Sequence, residues 1–218
     1  MQKGMKTNNI ILIGGGGHCK SCIEVIELDR KYNIFGIIDK EDRVNTHYNL
    51  LGNDSMIPVL AKTPQNHFLI TAGQVKTASL RKRLFDLVQN NHGKFATIVS
   101  PYSLVSRSTF IHEGTIIFHN AIVNIDVKIG RNVIINNNSL VEHDCVIGDH
   151  CHISTGAVIN GGCNIGNEVL VGSNSVIIQY INITSKVVIG AGSVVIKDIT
   201  ESGVYAGNPI SKISDYIE

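Results

Sequence analysis

Residues 129–165 read IGRNVI INNNSL VEHDCV IGDHCH ISTGAV INGGCN I, and in blocks of six every block opens on Val or Ile. The period runs without a miss from Val105 to Val195. Four places after each aliphatic residue stands a small or β-branched one, as at Ser139, Cys145, Cys151, Ala157 and Cys163. An α-helix returns its apolar face every three or four residues and a lone strand every two, so a period of six fits neither. A solenoid of triangular coils fits it, because each flat side takes one hexad and turns one aliphatic residue inward. Such a coil buries its aliphatics only against its neighbours, and this run is long enough for about five stacked coils with one continuous core. Gly130, Gly148, Gly166, Gly172 and Gly190 directly follow inward residues, where we expect the chain to bend.

Ahead of the repeat the pattern changes to alternating strand and helix. Asn9 to Ile13 is a short apolar run ended by Gly14-Gly15-Gly16-Gly17, after which Cys19, Cys22, Ile23 and Ile26 fall at helical spacing. Asn33 to Asp39 reads as a second strand, Met56 to Leu60 and His67 to Thr71 as two more, and Phe95 to Val99 as a last one. Leu80, Leu84, Leu87 and Val88 mark a second helix. This βαβ order predicts a small parallel α/β sheet of Rossmann type that closes near Ser100-Pro101. Two domains are therefore expected, residues 1–100 and residues 101–218.

Composition narrows the function classes. A net charge of +1 with no Lys/Arg run gives no field for a nucleic-acid backbone. The polar stretch Met1–Asn9 has no signal-peptide apolar region and no run reaches membrane-spanning length, so no membrane partner is expected. Five cysteines, Cys19, Cys22, Cys145, Cys151 and Cys163, lack framework spacing and suit free thiols in the cytoplasm. Cys19 and Cys22 form a C-x-x-C, but a redox pair would not follow a four-glycine loop, and the better reading is two small buried residues on one helix face.

The hexads resemble those of the hexapeptide-repeat acyltransferases. That resemblance implies a left-handed parallel β-helix that assembles as a homotrimer. The N-terminal half sharpens it: IILIGGGGHCKSCIEVIE, then IID, then a solenoid with VEHDCVIGDHCHIS and a late GNP resembles the sialic-acid O-acetyltransferase and nucleotide-sugar N-acetyltransferase group. Within it the chain is most similar to enzymes that use acetyl-CoA to acetylate the 4-amino group of a UDP-linked 4-amino-4,6-dideoxy sugar for surface glycans. By that resemblance the co-substrate is acetyl-CoA, the acceptor is a nucleotide sugar and no metal takes part.

Acetyl transfer needs a group that takes a proton from the nucleophile, and imidazole titrates in the right range. His143, in Val141-Glu142-His143-Asp144, should point outward from its coil, and the resemblance assigns it as general base with Asp144 as its partner. The resemblance also puts His152 at the acetyl thioester and Asn136 near the acceptor amine. Asn136, Asn137 and Asn138 alternatively form a ladder that satisfies turn backbones. His150 has no counterpart and reads as a surface residue. Gly161, Gly172 and Gly190 are assigned to close approach of CoA, although glycines at solenoid corners have a geometric role of their own. Gly207-Asn208-Pro209 resembles a family tail that folds near the pantetheine.

A glycine loop at a helix N-terminus can hold a phosphate through backbone N–H groups. As a dinucleotide fingerprint this one departs at Cys19, where the third glycine would stand, which disfavours NAD. The resemblance gives Gly15, Gly16, Gly17 and His18 to the diphosphate of the nucleotide sugar, and Asp39 and Lys40 to its nucleoside; Asp39 at a strand end alternatively serves as a cap. Two other functions use the same solenoid. One is O-acetylation of sialic acid or a related sugar by the same base. The other is a γ-type carbonic anhydrase, to which His143, His150 and His152 offer zinc ligands but at the wrong spacing and behind an unneeded front domain.

Overall fold

The computed structural model describes residues 8–40 and 46–216. The polar lead Met1–Thr7 lies outside the described residues. The chain divides into two compact units: the described residues through Gly73 with Leu80–Pro101 form one, and Gln74–Ser79 with the residues from Tyr102 onward form the other.

In the first unit β1 (Asn9–Ile13), β2 (Asn33–Ile38), β3 (Leu50–Gly52), β4 (Asn66–Ile70) and β5 (Lys94–Phe95) form one parallel sheet in the order β3-β2-β1-β4-β5. Ile10 to Ile13 are at most 1% exposed, as expected of a central parallel strand covered on both faces. Helix α1 (Gly17–Asp29) buries Cys19, Cys22, Ile23, Val25 and Ile26. Burial pushes the Cys19 thiol up to about 11 and raises Cys22 further, so this C-x-x-C packs the helix and is a poor nucleophile. Helix α3 (Ser79–Asn90) buries Leu84, Phe85 and Val88, and Phe85 stacks on Phe95 with centroids 4.0 Å apart. Arg81 of α3 is 1% exposed and donates to the carbonyls of Ile70 and Ala72 at 2.8 and 2.6 Å, which ties the helix to the end of β4.

Two expected strands differ. In place of a strand at Met56–Leu60, a 3-10 turn (Asp54–Met56) leads into helix α2 (Ile57–Leu60), with Pro58 in its first turn, where proline's fixed φ and missing N–H do no harm. Residues 95–99 split, with Phe95 in β5 and Ile98–Val99 in a separate short strand.

The second unit is the β-helix, of the left-handed hexapeptide type. Strand partners are 18 residues apart, as in Ile122↔Leu140, Lys128↔Val146 and Ile134↔His152, so one coil is three hexads and has three flat parallel sides. Of the inward aliphatics, Val105 and Ile111 at the start of the run are half-buried, and each one from Ile117 to Val195 is buried. The bends are elsewhere than expected. From Asn120 to Gly192 every sixth residue is left-handed, with φ between 55° and 70°, and Asp144, His150, Glu168, Tyr180 and Lys186 are among them. Asn, Asp and Gly adopt that conformation most readily, and they fill most of these corners.

The glycines after the inward residues have ordinary φ and serve stacking. A Cβ at Gly172 would lie 2.5 Å from the carbonyl oxygen of Ile189, and one at Gly166 would lie 2.6 Å from the nitrogen of Ser185. The last coil is extended by Gly203–Gly207, which pairs with Val187–Ile189 and folds back as a hairpin through Ile210–Ser214.

Candidate active site

His143 follows the Leu140–Val141 strand at a corner whose next residue, Asp144, is left-handed with φ 59°. That turn brings Asp144 Oδ2 to 2.8 Å from His143 Nδ1. A carboxylate only accepts, so Nδ1 carries the proton and Nε2 keeps its lone pair in the neutral ring. The hydrogen bond to Asp144 raises the His143 pKa above the usual imidazole value; slight burial opposes this, and the charges of Asp144 and Glu142 add to it. The His143 side chain is 49% exposed. This is an oriented imidazole with an accessible basic nitrogen, the arrangement a general base needs.

Asn136 and His152 form a second cluster. Their residues stand on the same side of successive coils, where Ile134 pairs with His152. Asn136 Nδ2 lies 3.1 Å from His152 Nε2, and His152 Nδ1 lies 3.0 Å from the carbonyl oxygen of Gln74. A carbonyl accepts, so His152 is protonated on Nδ1 and its Nε2 accepts from Asn136. The Asn136 Oδ1 in turn accepts the N–H of Asn137 at 2.8 Å. His152 thus lies on a flat side, 9% exposed, with both ring nitrogens engaged. Gln74 is 4% exposed, and its side-chain Nε2 and Oε1, like Asn137 Oδ1, have no hydrogen-bond partner among the described residues. Sequence gave no signal for Gln74, which arrives through tertiary contact alone.

His150, expected on the surface, is a left-handed corner residue, 6% exposed, with Nδ1 2.9 Å from Asn132 Nδ2 of the preceding coil. Gly172 and Gly190 share the Asn136 column at 18-residue spacing, and neighbouring chain fills the room their missing side chains leave. Gly161 lies beneath His143, and a Cβ there would stand 2.6 Å from His143 Nε2. Among the described residues no three His, Cys, Asp or Glu side chains converge as a metal-ligand set.

In the front unit Gly14 takes φ 110°, and a Cβ there would lie 2.6 Å from the Ala72 nitrogen, so a side chain has no room. Gly15 N–H donates to Asp39 Oδ2 at 2.6 Å, and Lys40 N–H donates to Asp39 Oδ1 at 2.7 Å. Asp39 therefore braces the glycine loop with one oxygen and its own turn after β2 with the other. Gly16 is the N-cap of α1 without a side-chain cap; Gly16 and Gly17 are exposed and face open space. His18 is half-buried beside Gly73. At the carboxyl ends of β1 to β4, across the point between β1 and β4 where the strand order reverses, a cleft of about 480 Å³ is lined by Gly14, Asp39, Lys40, Asn53, Asp54 and Arg83 among others. Open α/β sheets bind ligands at such a crevice. Arg83, which holds Asp54 Oδ2 at 3.1 Å, is a cation of this cleft that the sequence pattern did not single out.

Residues 9–88 match the PglD N-terminal domain and residues 126–161 match the bacterial transferase hexapeptide repeats. No curated protein matches the sequence significantly. Among solved structures, the chain is similar to a mutant of perosamine N-acetyltransferase from Caulobacter crescentus in complex with CoA and GDP-perosamine, at 26% identity and TM-score 0.88 over 95% of this chain and 98% of that one. It is also similar to the acetyltransferase domain of PglB from Neisseria gonorrhoeae in complex with acetyl coenzyme A, at 26% identity and TM-score 0.87 over 95% of this chain and 100% of that one. WeeI from Acinetobacter baumannii shares the fold at 22% identity, TM-score 0.83, over 95% and 100% of the two chains.

Proposed function

From a PglD N-terminal domain set ahead of hexapeptide repeats, we propose that this chain is an acetyl-CoA-dependent N-acetyltransferase acting on the 4-amino group of a nucleotide-linked 4-amino-4,6-dideoxy sugar, a UDP sugar foremost, for surface glycans. The observation that carries the reading is the His143–Asp144 pair at 2.8 Å, on a chain that parallels, over nearly its whole length, an enzyme solved with CoA and GDP-perosamine. The amine nitrogen attacks the thioester carbonyl directly, and the new C–N bond forms as its proton passes to His143 Nε2. The tetrahedral intermediate then expels the CoA thiolate as the C–S bond breaks. Asp144 stabilises the imidazolium that results. In this proposal residues 1–100 hold the nucleotide sugar at the cleft lined by Asp39, Lys40 and Arg83, and residues 101–218 hold acetyl-CoA.

Assembly as a homotrimer belongs to the same proposal. Leu104, Ile122, Leu140, Val158, Val176 and Val194 lie in one outward column on a single flat side, with Leu104 68% and Ile122 40% exposed. An apolar column of this extent favours coverage by another copy, and the side it covers runs straight into the His143 corner. Buried free thiols at all five cysteines suit a cytoplasmic setting. The test is an acetyl-CoA assay of the purified protein with UDP- and GDP-linked 4-amino sugars and with free sialic acid. Acetylated nucleotide sugar is expected. Turnover of sialic acid alone would replace the proposal with the O-acetyltransferase reading.

A further inference from the structure

We infer that Gly161 is a positioning residue for His143: the space left by its missing side chain is the seat on which the imidazole lies beside Asp144. The inference rests on the proposed role of His143 as base. A Cβ at position 161 would stand 2.6 Å from His143 Nε2, 2.7 Å from Cε1 and 3.2 Å from Cδ2, so it would strike the reacting edge of the ring. The backbone there has no freedom to retreat. Gly162 N–H donates to the His143 carbonyl at 2.9 Å, and the Gly161 carbonyl accepts from Tyr180 N–H at 2.9 Å, so ladders to the coils before and after clamp it.

What must yield is therefore the imidazole. It is half-exposed and swings toward solvent, leaving the 2.8 Å contact with Asp144. The next residue repeats the arrangement in the other direction. A Cβ at Gly162 would meet the Tyr180 ring at 2.5 Å, so the two glycines form a bare platform between an imidazole from one coil and a phenol from the next. The space over Gly161 is thus filled by this chain's own base.

The charged groups acting on His143 are Asp144 and Glu142; at this corner the coil before presents Asn124, Ile125 and Asp126, and the coil after presents Asn160, Gly161 and Gly162. The experiment is Gly161→Ala, His143→Ala and the double variant, read by NMR titration of the His143 ring, by kcat and KM, and by calorimetric binding of acetyl-CoA. Gly161→Ala is expected to fold, to drop the His143 pKa toward that of free imidazole, and to lose about 100-fold in kcat, the scale of a misplaced catalytic group. Acetyl-CoA binding stays unchanged, and adding Gly161→Ala to His143→Ala costs nothing further. An unshifted His143 titration, weakened acetyl-CoA binding, or a double variant less stable than His143→Ala would each overturn the inference. A shifted titration with unchanged turnover would uphold the seat and overturn His143 as base, so the two failures are distinct. If Gly161→Ala alone fails to fold while the double variant folds like His143→Ala, the collision with the ring stands demonstrated.

Discussion

An imidazole serves as a base only when one nitrogen is held and the other left open, and the two candidate histidines of this chain divide on that point. His143 is held by Asp144 on Nδ1 alone, whereas His152 is engaged on both nitrogens by Gln74 and Asn136. His143→Ala should therefore lower kcat by about 10²- to 10⁴-fold, the usual worth of general base catalysis, with little change in melting temperature because the side chain is half-exposed. The reactive form is the neutral ring, so activity falls as pH drops through the His143 pKa, which Asp144 raises. Asp144→Asn should shift the acidic limb of the kcat/KM profile to lower pH while reducing its plateau; an unmoved limb would show that another group titrates. Gln74 supports His152 through its backbone, and its buried amide has no partner among the described residues. Replacing it by Leu is expected to leave thermal stability unchanged or raise it, because the cost of an unsatisfied buried amide disappears. A melting temperature that falls would contradict this. His143 and Asp144 were legible as a motif, but the burial of His150 and the part played by Gln74 were not: the first depends on a left-handed corner stacked on Asn132, and the second on a segment distant in sequence.

At the level of elements, the period of six translated directly into buried positions, because in a three-sided coil each hexad has one residue pointing into a core that only like residues can fill. Short non-periodic runs were harder. Met56–Leu60 carries apolar residues without enough length to display a strand or helix period, and it became a turn and a short helix. The glycines show why position matters more than identity. Gly172 has ordinary φ but no room, so Gly172→Ala should destabilise by about 1–3 kcal/mol, as overpacking does. Gly192 is left-handed with φ 69° and nothing within 4 Å, so Gly192→Asn should be tolerated within about 1 kcal/mol. Chemical denaturation of the two variants side by side checks both, and equal effects would mean that the collision at Gly172 is relieved by slight movement of the coil.

On the scale of the whole molecule, the outward aliphatic column makes assembly and activity inseparable in the proposed reading. Val158→Glu puts a charge in the middle of that column while leaving the inward Ile159 untouched, so the coil should still fold. Light scattering after size exclusion should then report a monomer with lost acetyl transfer. A Val158→Glu protein that remains trimeric would locate the interface on another side. The 18-residue strand spacing carries a different consequence, for how such a chain changes through descent. A gain or loss of 18 residues inside the run keeps every later residue on its own side, corner and column, whereas a change of six turns everything downstream by a third of a revolution. The span between the His143 corner and the tail hairpin is therefore heritable only in whole strides of about 4.8 Å, the spacing of paired strands.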